Sequence, residues 1–369
     1  MDMKSLLHRM AELEASDLFI TAGLPPSIKV NGEIRPVTDQ RLGLAEAKAM
    51  VESIMNDKQK AEFAQQNDCN FAINARGIGR FRVSAFVQRE AAGMVLRRIQ
   101  TEIPTVEELS LPPILKDLAM TKRGLVLMVG ATGTGKSTSL ASMVGYRNEN
   151  ARGHIITIED PIEFVHEHRK SIITQREVGI DCDSFDVALK NTLRQAPDVI
   201  LLGEIRTIET MEFALAFAET GHLCMATLHA NNANQALERV LHLCPKDKRE
   251  QFLFDMSLNL KGVVAQQLIP KKDGSGRAVA VEVLLNSPLV SEQIRKNELH
   301  LLKDTMERSN ELGMRTFDQA IFELYSKGVI TYADALHYAD SPNDLRLMIK
   351  LSKGEAGSSA SLENVTLGD

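Results

Sequence analysis

The sequence predicts a mixed α/β chain with two domains, and three observations lead to this fold class. After residue 122, short apolar runs alternate with helical patterns, as expected for a parallel sheet with helices on its faces. Before residue 100, the chain instead carries extended segments in which apolar and polar residues alternate with a period of two. Residues 101–121 contain three prolines and several acidic residues, which is typical of a linker between domains.

Residues 1–100 are predicted to form an N-terminal α+β domain of ordinary size. Apolar residues recur at helical spacing over 4–14, and helical patterns return over 43–65. The Asn-Gly pair at 31–32 predicts the tight turn of a β-hairpin. Residues 69–99 alternate in the manner of a β-meander, so an antiparallel sheet is expected in this domain.

Residues 122–351 are predicted to form the parallel-sheet domain, and the Ser/Gly-rich residues 352–369 to form a disordered tail. Within the domain, residues 251–264 look helical, residues 278–285 look like a late strand, and residues 291–350 look like several short helices. The main strands are predicted at 125–129, 154–158, 199–202 and 224–228, with helices at 136–146, 184–194, 208–219 and 234–243.

Composition favours a globular protein and argues against a nucleic-acid-binding or membrane-spanning one. The 369 residues include 44% hydrophobic and 25% charged residues, which is ordinary for a soluble globular chain. A net charge of -6, 5% aromatic residues and no Trp argue against a nucleic-acid partner. The four cysteines include no C-x-x-C pair, which predicts reduced and buried thiols. No stretch approaches the about 18 apolar residues that cross a bilayer, so we expect a cytoplasmic protein that meets a membrane through a partner.

The stretch 125–138, LVLMVGATGTGKST, carries the most specific motif. It matches the phosphate-loop spacing G-x-x-x-x-G-K-[ST] after an apolar strand, a context that disfavours a merely structural turn. Its glycines let backbone N–H groups and a helix N-terminus converge on an anion. We expect Lys136 to hold the β- and γ-phosphates of ATP, Ser137 to offer its hydroxyl to Mg²⁺, and Thr138 to pack or cap nearby. The predicted nucleotide-binding residues are Gly130, Thr132, Gly133, Thr134, Gly135, Lys136, Ser137 and Thr138.

Two acidic features follow predicted strands. Glu204 comes directly after the strand at 199–202, where a carboxylate can hold Mg²⁺ through water or orient the attacking water. The stretch 158–164, IEDPIEF, brings three more carboxylates to the same edge, and Glu163 is the predicted general base. A solvent-facing acid is the alternative for Glu204, and a turn or helix-cap residue is the alternative for Asp160.

Histidines lie on both sides of the strand at 224–228. His229 leaves the carboxyl end of that strand, where a γ-phosphate would lie, and a packed structural histidine is the alternative. His222 lies at the other end and is the weaker candidate. The strand between them makes a shared metal site unfavourable.

Arginines cluster in the predicted meander. Arg80 and Arg82 occupy alternate positions of one strand, and Arg97 and Arg98 follow on the next. Guanidinium groups clamp phosphates in many phosphate-loop enzymes, in which they reach the site from a neighbouring subunit. We therefore predict Arg80, Arg82 and Arg97 as in-trans candidates, with a solvated basic face as the alternative.

These motifs, in this order, resemble those of the secretion and type IV pilus ATPases, and within them the pilus-retraction PilT/PilU family. The loop at 130–138 resembles Walker A, IEDPIEF the aspartate box, GEIR at 203–206 Walker B, and TGHLCMATLH at 220–229 the histidine box. The resemblance covers nearly the whole chain. It implies a PAS-like N-terminal domain, a RecA-like phosphate-loop ATPase domain with a helical C-terminal region, and a toroidal hexamer with sites between subunits.

Within this family the chain is more similar to the PilU type. Ala196 and Thr207 stand where PilT proteins usually carry acids, and the ending SPNDLRLMIKL at 341–351 also resembles PilU. The resemblance implies a hydrolase that converts ATP and water to ADP and phosphate to retract type IV pilus fibres in twitching motility. It further implies Mg²⁺, a PilT-type paralogue and an inner-membrane pilus platform protein as cofactor and partners, with no nucleic acid.

Two other functions stay open at this stage. The missing acids at Ala196 and Thr207 fit an ATP-binding accessory subunit that docks on a PilT-type hexamer and hydrolyses little by itself. A RecA-like ATPase that handles DNA or RNA is disfavoured by the acidic net charge.

Overall fold

The computed structural model describes the backbone of residues 2–362 and the side chains of residues 2–352. The chain divides into two compact units, Met1–Glu102 with Ile162–His166, and Ile103–Pro161 with Glu167–Asp369. Most of the stretch predicted as a linker packs with the second unit, because its apolar side chains are buried there. These side chains are Val106, Leu111, Leu115 and Leu118.

The first unit contains a six-stranded antiparallel sheet in the order β3-β2-β1-β6-β5-β4. The predicted hairpin forms across Asn31 and Gly32, both with positive φ, and the predicted meander supplies β4 to β6. Its helices and strands are α1 (Met3–Glu12), β1 (Asp17–Ile20), β2 (Ser27–Val30), β3 (Glu33–Pro36), α2 (Leu44–Ser53), α3 (Asp57–Gln66), β4 (Asp68–Ala75), β5 (Gly79–Gln88) and β6 (Ala91–Arg98).

The second unit is built on a seven-stranded sheet in the order β13-β12-β7-β11-β10-β8-β9, in which every pair is parallel except β12 with β13. The four predicted strands are β7, β8, β10 and β11, and they lie side by side, buried in the sheet. The elements are α4 (Ile114–Met120), β7 (Gly124–Val129), α5 (Lys136–Asn150), β8 (His154–Glu159), β9 (Ile172–Glu177), α6 (Phe185–Thr192), β10 (Val199–Leu202), α7 (Ile208–Glu219), β11 (Leu223–Leu228), α8 (Ala233–Leu243), α9 (Arg249–Asn259), β12 (Leu260–Pro270), β13 (Arg277–Leu285), α10 (Pro288–Arg295), α11 (Leu302–Glu307), α12 (Phe317–Ser326), α13 (Tyr332–Tyr338) and α14 (Pro342–Leu362).

The structure differs from the sequence-based expectation at α9 and at the C-terminal helix, and it adds β9, which was not predicted. The predicted helix 251–264 ends at Asn259, because the apolar residues from Leu260 onward are buried in β12 between β7 and β13. The last helix continues to Leu362, through part of the predicted disordered tail. The remaining predicted tail residues, 363–369, lie outside the described part of the chain.

Among the residues that the structure describes, no helix combines the length and the apolar character that crossing a membrane requires.

Candidate active site

The phosphate-loop sequence forms the predicted turn between a strand and a helix. Strand β7 is buried along its whole length and ends at Val129, and α5 begins at Lys136. The three glycines of the turn all have positive φ. Lys136 is buried, and its Nζ donates hydrogen bonds to Gly130 O and Ala131 O, both at 2.8 Å. The ammonium group therefore lies against the turn, where it can hold an anion bound by the loop.

A side chain from β12 braces this turn. Gln266, which is 3% exposed, donates through Nε2 to Thr134 O at 2.7 Å and accepts from Ser139 Oγ at 2.7 Å. A Cβ atom at Gly130 would lie 2.6 Å from Gln266 O, and one at Gly135 would lie 2.8 Å from Gln266 Nε2. The strand thus approaches the loop so closely that only glycine fits at these two positions.

Gln266 was missed by the sequence analysis, because the segment before it was interpreted as a helix. A usable signal was present, since a pair of glutamines interrupts an otherwise apolar run at 262–269.

The hydroxyl side chains of the loop divide into two kinds. Thr134 Oγ1 is engaged with Ala131 O at 2.9 Å, and Thr132 is exposed. Ser137 and Thr138 are half-buried in the first turn of α5, at the end of the helix that favours anions. The loop and this helix end are suited to bind phosphate groups.

Magnesium fits the oxygen donors at this end of the sheet. The described residues contain no group of three His, Cys, Asp or Glu arranged to hold a metal ion. Mg²⁺ is usually held by one or two protein oxygens, the phosphates of a nucleotide and several waters. The Ser137 hydroxyl and the Glu204 carboxylate supply protein oxygens of this kind.

Glu204 lies at the centre of a cluster formed by residues that follow three neighbouring strands. Its Oε1 lies 3.1 Å from His229 Nε2, and its Oε2 accepts from Arg206 Nε and Nη2, both at 2.8 Å. Arg206 Nη1 also lies 3.8 Å from Asp160 Oδ2. Gly203 allows this convergence, because a Cβ atom there would lie 3.1 Å from the backbone of Glu159. The ends of β8, β10 and β11 therefore meet in one polar cluster.

The cluster changes the electrostatics of Arg206. The hydrogen bond from Arg206 to Glu204 raises the pKa of the guanidinium above its usual value. Contacts with Arg206 and His229 hold the Glu204 carboxylate at the strand end, where it can orient a water molecule. Arg206 was missed by the sequence analysis, although it lies only two residues beyond Glu204.

The two candidate histidines lie on opposite sides of β11. His229 contacts Glu204 and, with Ala131 of the phosphate loop, lines a cavity of about 520 Å³. His222 lies just before β11, where its Nδ1 is 3.1 Å from Thr220 Oγ1 and 3.2 Å from Phe217 O. His229 therefore belongs to the candidate site and His222 supports the start of the strand.

Glu163 belongs to the first unit. It lies in the segment Ile162–His166, which packs with the first unit, where Val165 N donates to Gln100 O at 3.1 Å. Its side chain is exposed. Its role as general base stays a prediction.

The candidate arginines also belong to the first unit. Arg80 and Arg82 are alternate residues of β5, and Arg82 Nη2 donates to Ile162 O at 3.2 Å. Arg97 lies opposite Arg82 on β6, and its Nε donates to Asp17 Oδ1 at 2.8 Å. Because the Asp17 carboxylate is buried, this ion pair links β1 to β6 and gives Arg97 a structural function.

Known proteins share both the motifs and the fold. A model of the Type II/IV secretion system protein family matches residues 2–325. The type IV pilus ATPase PilU of Pseudomonas aeruginosa is 64% identical over 98% of this chain and 95% of its own length. The PilT protein of the same organism, named a retraction ATPase of the type IV pilus, is 40% identical over 93% of this chain and 100% of its own.

A solved structure agrees with these relatives. The crystal structure of the pilus retraction motor PilT with bound ADP superposes with a TM-score of 0.87 at 39% identity, and the match covers 94% of this chain and 99% of that one. The chain therefore belongs to the Type II/IV secretion system protein family and, within it, to the PilT/PilU family of type IV pilus ATPases.

Proposed function

We propose that this chain is an ATP-hydrolysing motor subunit that powers or assists the retraction of type IV pili in twitching motility. One observation carries the proposal. The strand order β7-β11-β10-β8 brings the phosphate loop, His229, Glu204 and Asp160 to neighbouring strand ends of one sheet. In parallel sheets, ligands bind outside these carboxyl ends.

The residues of the second unit divide the chemistry among them. The loop 130–138 and Lys136 hold the phosphates of ATP, and Mg²⁺, when bound, neutralises developing charge on them. Glu204 orients a water molecule toward the γ-phosphate, while a hydrogen bond from Arg206 holds this carboxylate in position. His229 contacts the same carboxylate. A change in its position when a γ-phosphate binds can therefore be passed along the chain to α8.

The remaining sequence-based assignments complete the proposal. The first unit is a PAS-like domain, the second is a RecA-like domain with C-terminal helices, and six chains form a ring. Glu163 is the candidate base, and Arg80 or Arg82 reaches a phosphate in a neighbouring subunit. The motor is cytoplasmic and acts at the inner membrane through a pilus platform protein and a PilT-type paralogue, without nucleic acid. The names of the relatives support the pilus assignment.

The test is steady-state ATP hydrolysis by the purified chain. Lys136→Ala and Glu204→Gln are expected to lower turnover by about 10²- to 10³-fold, because each removes a group that faces the reacting phosphates or the attacking water. Lys190→Ala and Glu250→Gln, at exposed helical positions, are the matched controls and should keep turnover. Full turnover in either site variant would refute the catalytic assignment.

Sharing of the site between subunits has its own test. Arg80→Ala subunits mixed with Lys136→Ala subunits should regain part of the turnover, since each supplies the group that the other lacks. If no mixture regains turnover, the in-trans assignment of Arg80 is wrong.

A second candidate function is that of an accessory subunit with little turnover of its own. Ala196 and Thr207, which carry no acid near Glu204, favour it. Turnover measured with and without a PilT-type partner separates the two. A motor hydrolyses ATP by itself, whereas an accessory subunit does so appreciably only in the mixed assembly.

A further inference from the structure

A buried carboxylate on β13 joins two helix starts of the second unit. Glu282 is 1% exposed, its Oε1 accepts from Ala233 N at 2.8 Å, and its Oε2 accepts from Phe317 N at 3.2 Å. Ala233 and Phe317 are the first residues of α8 and α12. A carboxylate at a helix N-terminus is favoured both by the unpaired N–H groups and by the helix dipole.

A polar network surrounds this carboxylate. Asn232, the N-cap of α8, donates through Nδ2 to Asp340 Oδ2 at 3.2 Å. Asp318 accepts from Asp340 N at 2.9 Å, and Lys303 Nζ lies 3.0 Å from Asp318 Oδ2 and 3.9 Å from Asp340 Oδ2. We call the set Glu282, Asn232, Asp340, Asp318 and Lys303 the carboxylate junction.

The junction lies one short loop away from the candidate active site. Ala233 follows His229 by four residues, and His229 contacts Glu204. The start of α8 therefore sets where this loop begins, and with it the position of the imidazole.

The two helix starts depend on Glu282 to different degrees. The segment before α12 is also held by backbone hydrogen bonds between Val283 and Arg315, at 2.9 and 3.1 Å. The start of α8 is connected to β13 through the Glu282 carboxylate. Loss of the carboxylate should consequently displace α8 and the His229 loop more than α12.

We propose that Glu282 is a positioning residue for ATP hydrolysis, which holds the start of α8 and thereby keeps His229 against Glu204. The inference rests on the proposed function, because it assigns Glu282 a part in that same reaction. Glu282 touches no reacting atom, so its effect passes through the backbone of the loop 229–232.

The protonation state of Glu282 should tune this positioning. Burial raises its pKa to about 7, assisted by Asp340, while the N–H groups of Ala233 and Phe317 and the charge of Lys303 act in the opposite direction. An ionised carboxylate accepts both helix N–H bonds, whereas a protonated one presents a hydroxyl to one of them. Turnover is therefore expected to rise as pH increases through about 7.

The experiment compares Glu282→Gln with Gln293→Leu at several pH values. The glutamine keeps the size of the side chain but turns an N–H₂ group toward one of the two helix N–H groups. Gln293→Leu breaks a buried pair with Thr305, at 2.9 Å, between α10 and α11 of the same unit. It controls for a general loss of stability.

We expect Glu282→Gln to lower kcat about ten-fold or more, to leave KM for ATP within about two-fold, and to remove the rise through about pH 7. Hydrogen exchange of the peptide 229–236 should become about ten-fold faster. Gln293→Leu should lower the melting temperature while keeping kcat, its pH profile and the exchange of that peptide.

Each other outcome decides the matter. Wild-type kcat, pH profile and exchange in Glu282→Gln would overturn the inference, even if this variant melted earlier. If Glu282→Gln does not fold, the wild-type pH profile decides, and a profile flat between pH 6 and 8 overturns the inference. If the wild-type chain hydrolyses no ATP, the proposed function fails, and exchange of 229–236 in the wild-type chain at pH 6 against pH 8 then decides the positioning claim.

Discussion

Two acidic residues of the second unit, Glu204 and Glu282, differ in solvent exposure and in the kind of group that contacts them. Glu204 lies just beyond a strand, has a side chain that is 22% exposed, and is partnered by Arg206 and His229. Glu282 lies within a strand, is 1% exposed, and is partnered by two backbone N–H groups. The partners of Glu204 are partly exposed side chains, which water or phosphate can replace, whereas those of Glu282 are buried backbone groups. Glu204 is therefore suited to take part in a reaction, whereas Glu282 is suited to hold the starts of two helices in place.

The largest expected effect on stability is the contrast between Glu282→Ala and Glu204→Ala. Glu282→Ala should lower the free energy of unfolding by about 4 kcal/mol, because it strands two buried N–H groups and opens a cavity. Glu204→Ala should change it by less than about 1 kcal/mol, since its ion pairs are partly exposed.

Urea unfolding followed by tyrosine fluorescence measures this contrast for the second unit. All four tyrosines, Tyr146, Tyr325, Tyr332 and Tyr338, lie in that unit, and the chain has no Trp. If both variants lost the same free energy of unfolding, Glu282 would contribute no more to stability than Glu204, and the contrast between the two residues would be wrong.

A smaller effect concerns pH. The folded pKa of Glu282, about 7, lies above its unfolded value of 4.5, so the folded chain binds more protons than the unfolded chain between these values. The stability that Glu282 contributes is therefore fully present below about pH 4.5 and is lost as pH rises through about 7. Between pH 4.5 and 8 wild-type should lose about 3 kcal/mol relative to Glu282→Gln, which cannot titrate.

Urea midpoints of both proteins between pH 4.5 and 8 provide the measurement. If the difference in urea midpoint between wild-type and Glu282→Gln stayed constant over this range, Glu282 would not titrate there. Groups shared by both proteins cancel in the comparison.

The sequence predicted the phosphate loop and the four main strands because each carries a local signal. The loop has fixed glycine spacing, and β7, β8, β10 and β11 are short apolar runs between turns. β9 was missed because its polar residues resemble a loop, and β12 because its start continues a helical pattern. Local patterns do not report which strands become neighbours.

The same limit applies to the candidate site. Glu204 and His229 were predictable because each follows an apolar strand, and neighbouring strands of a parallel sheet end together. The contacts of Gln266 with the loop and of Glu282 with α8 depend on pairings across more than 40 residues. Such partners can be recognised only when the order of strands in the sheet is known.

The smallest expected effect lies beside Glu204 and concerns Thr207, where the resemblance to PilT proteins implies an acid. Thr207 is the N-cap of α7, and its Oγ1 accepts from Thr210 N at 3.3 Å. Aspartate caps a helix about as well as threonine, so the threonine keeps the capping function that an acid would have had. Its presence is thus explained without any loss of a catalytic group.

Thr207→Ala should lower the free energy of unfolding by about 1 kcal/mol, and Thr207→Asp should change it by less than about 0.5 kcal/mol. Turnover in Thr207→Asp should stay within about two-fold of wild-type, because a carboxylate used for capping is occupied by backbone N–H groups. A several-fold rise in the ATPase rate of Thr207→Asp would contradict this. It would show that an acid is missing beside Glu204, and the accessory function would then be favoured over an independent motor.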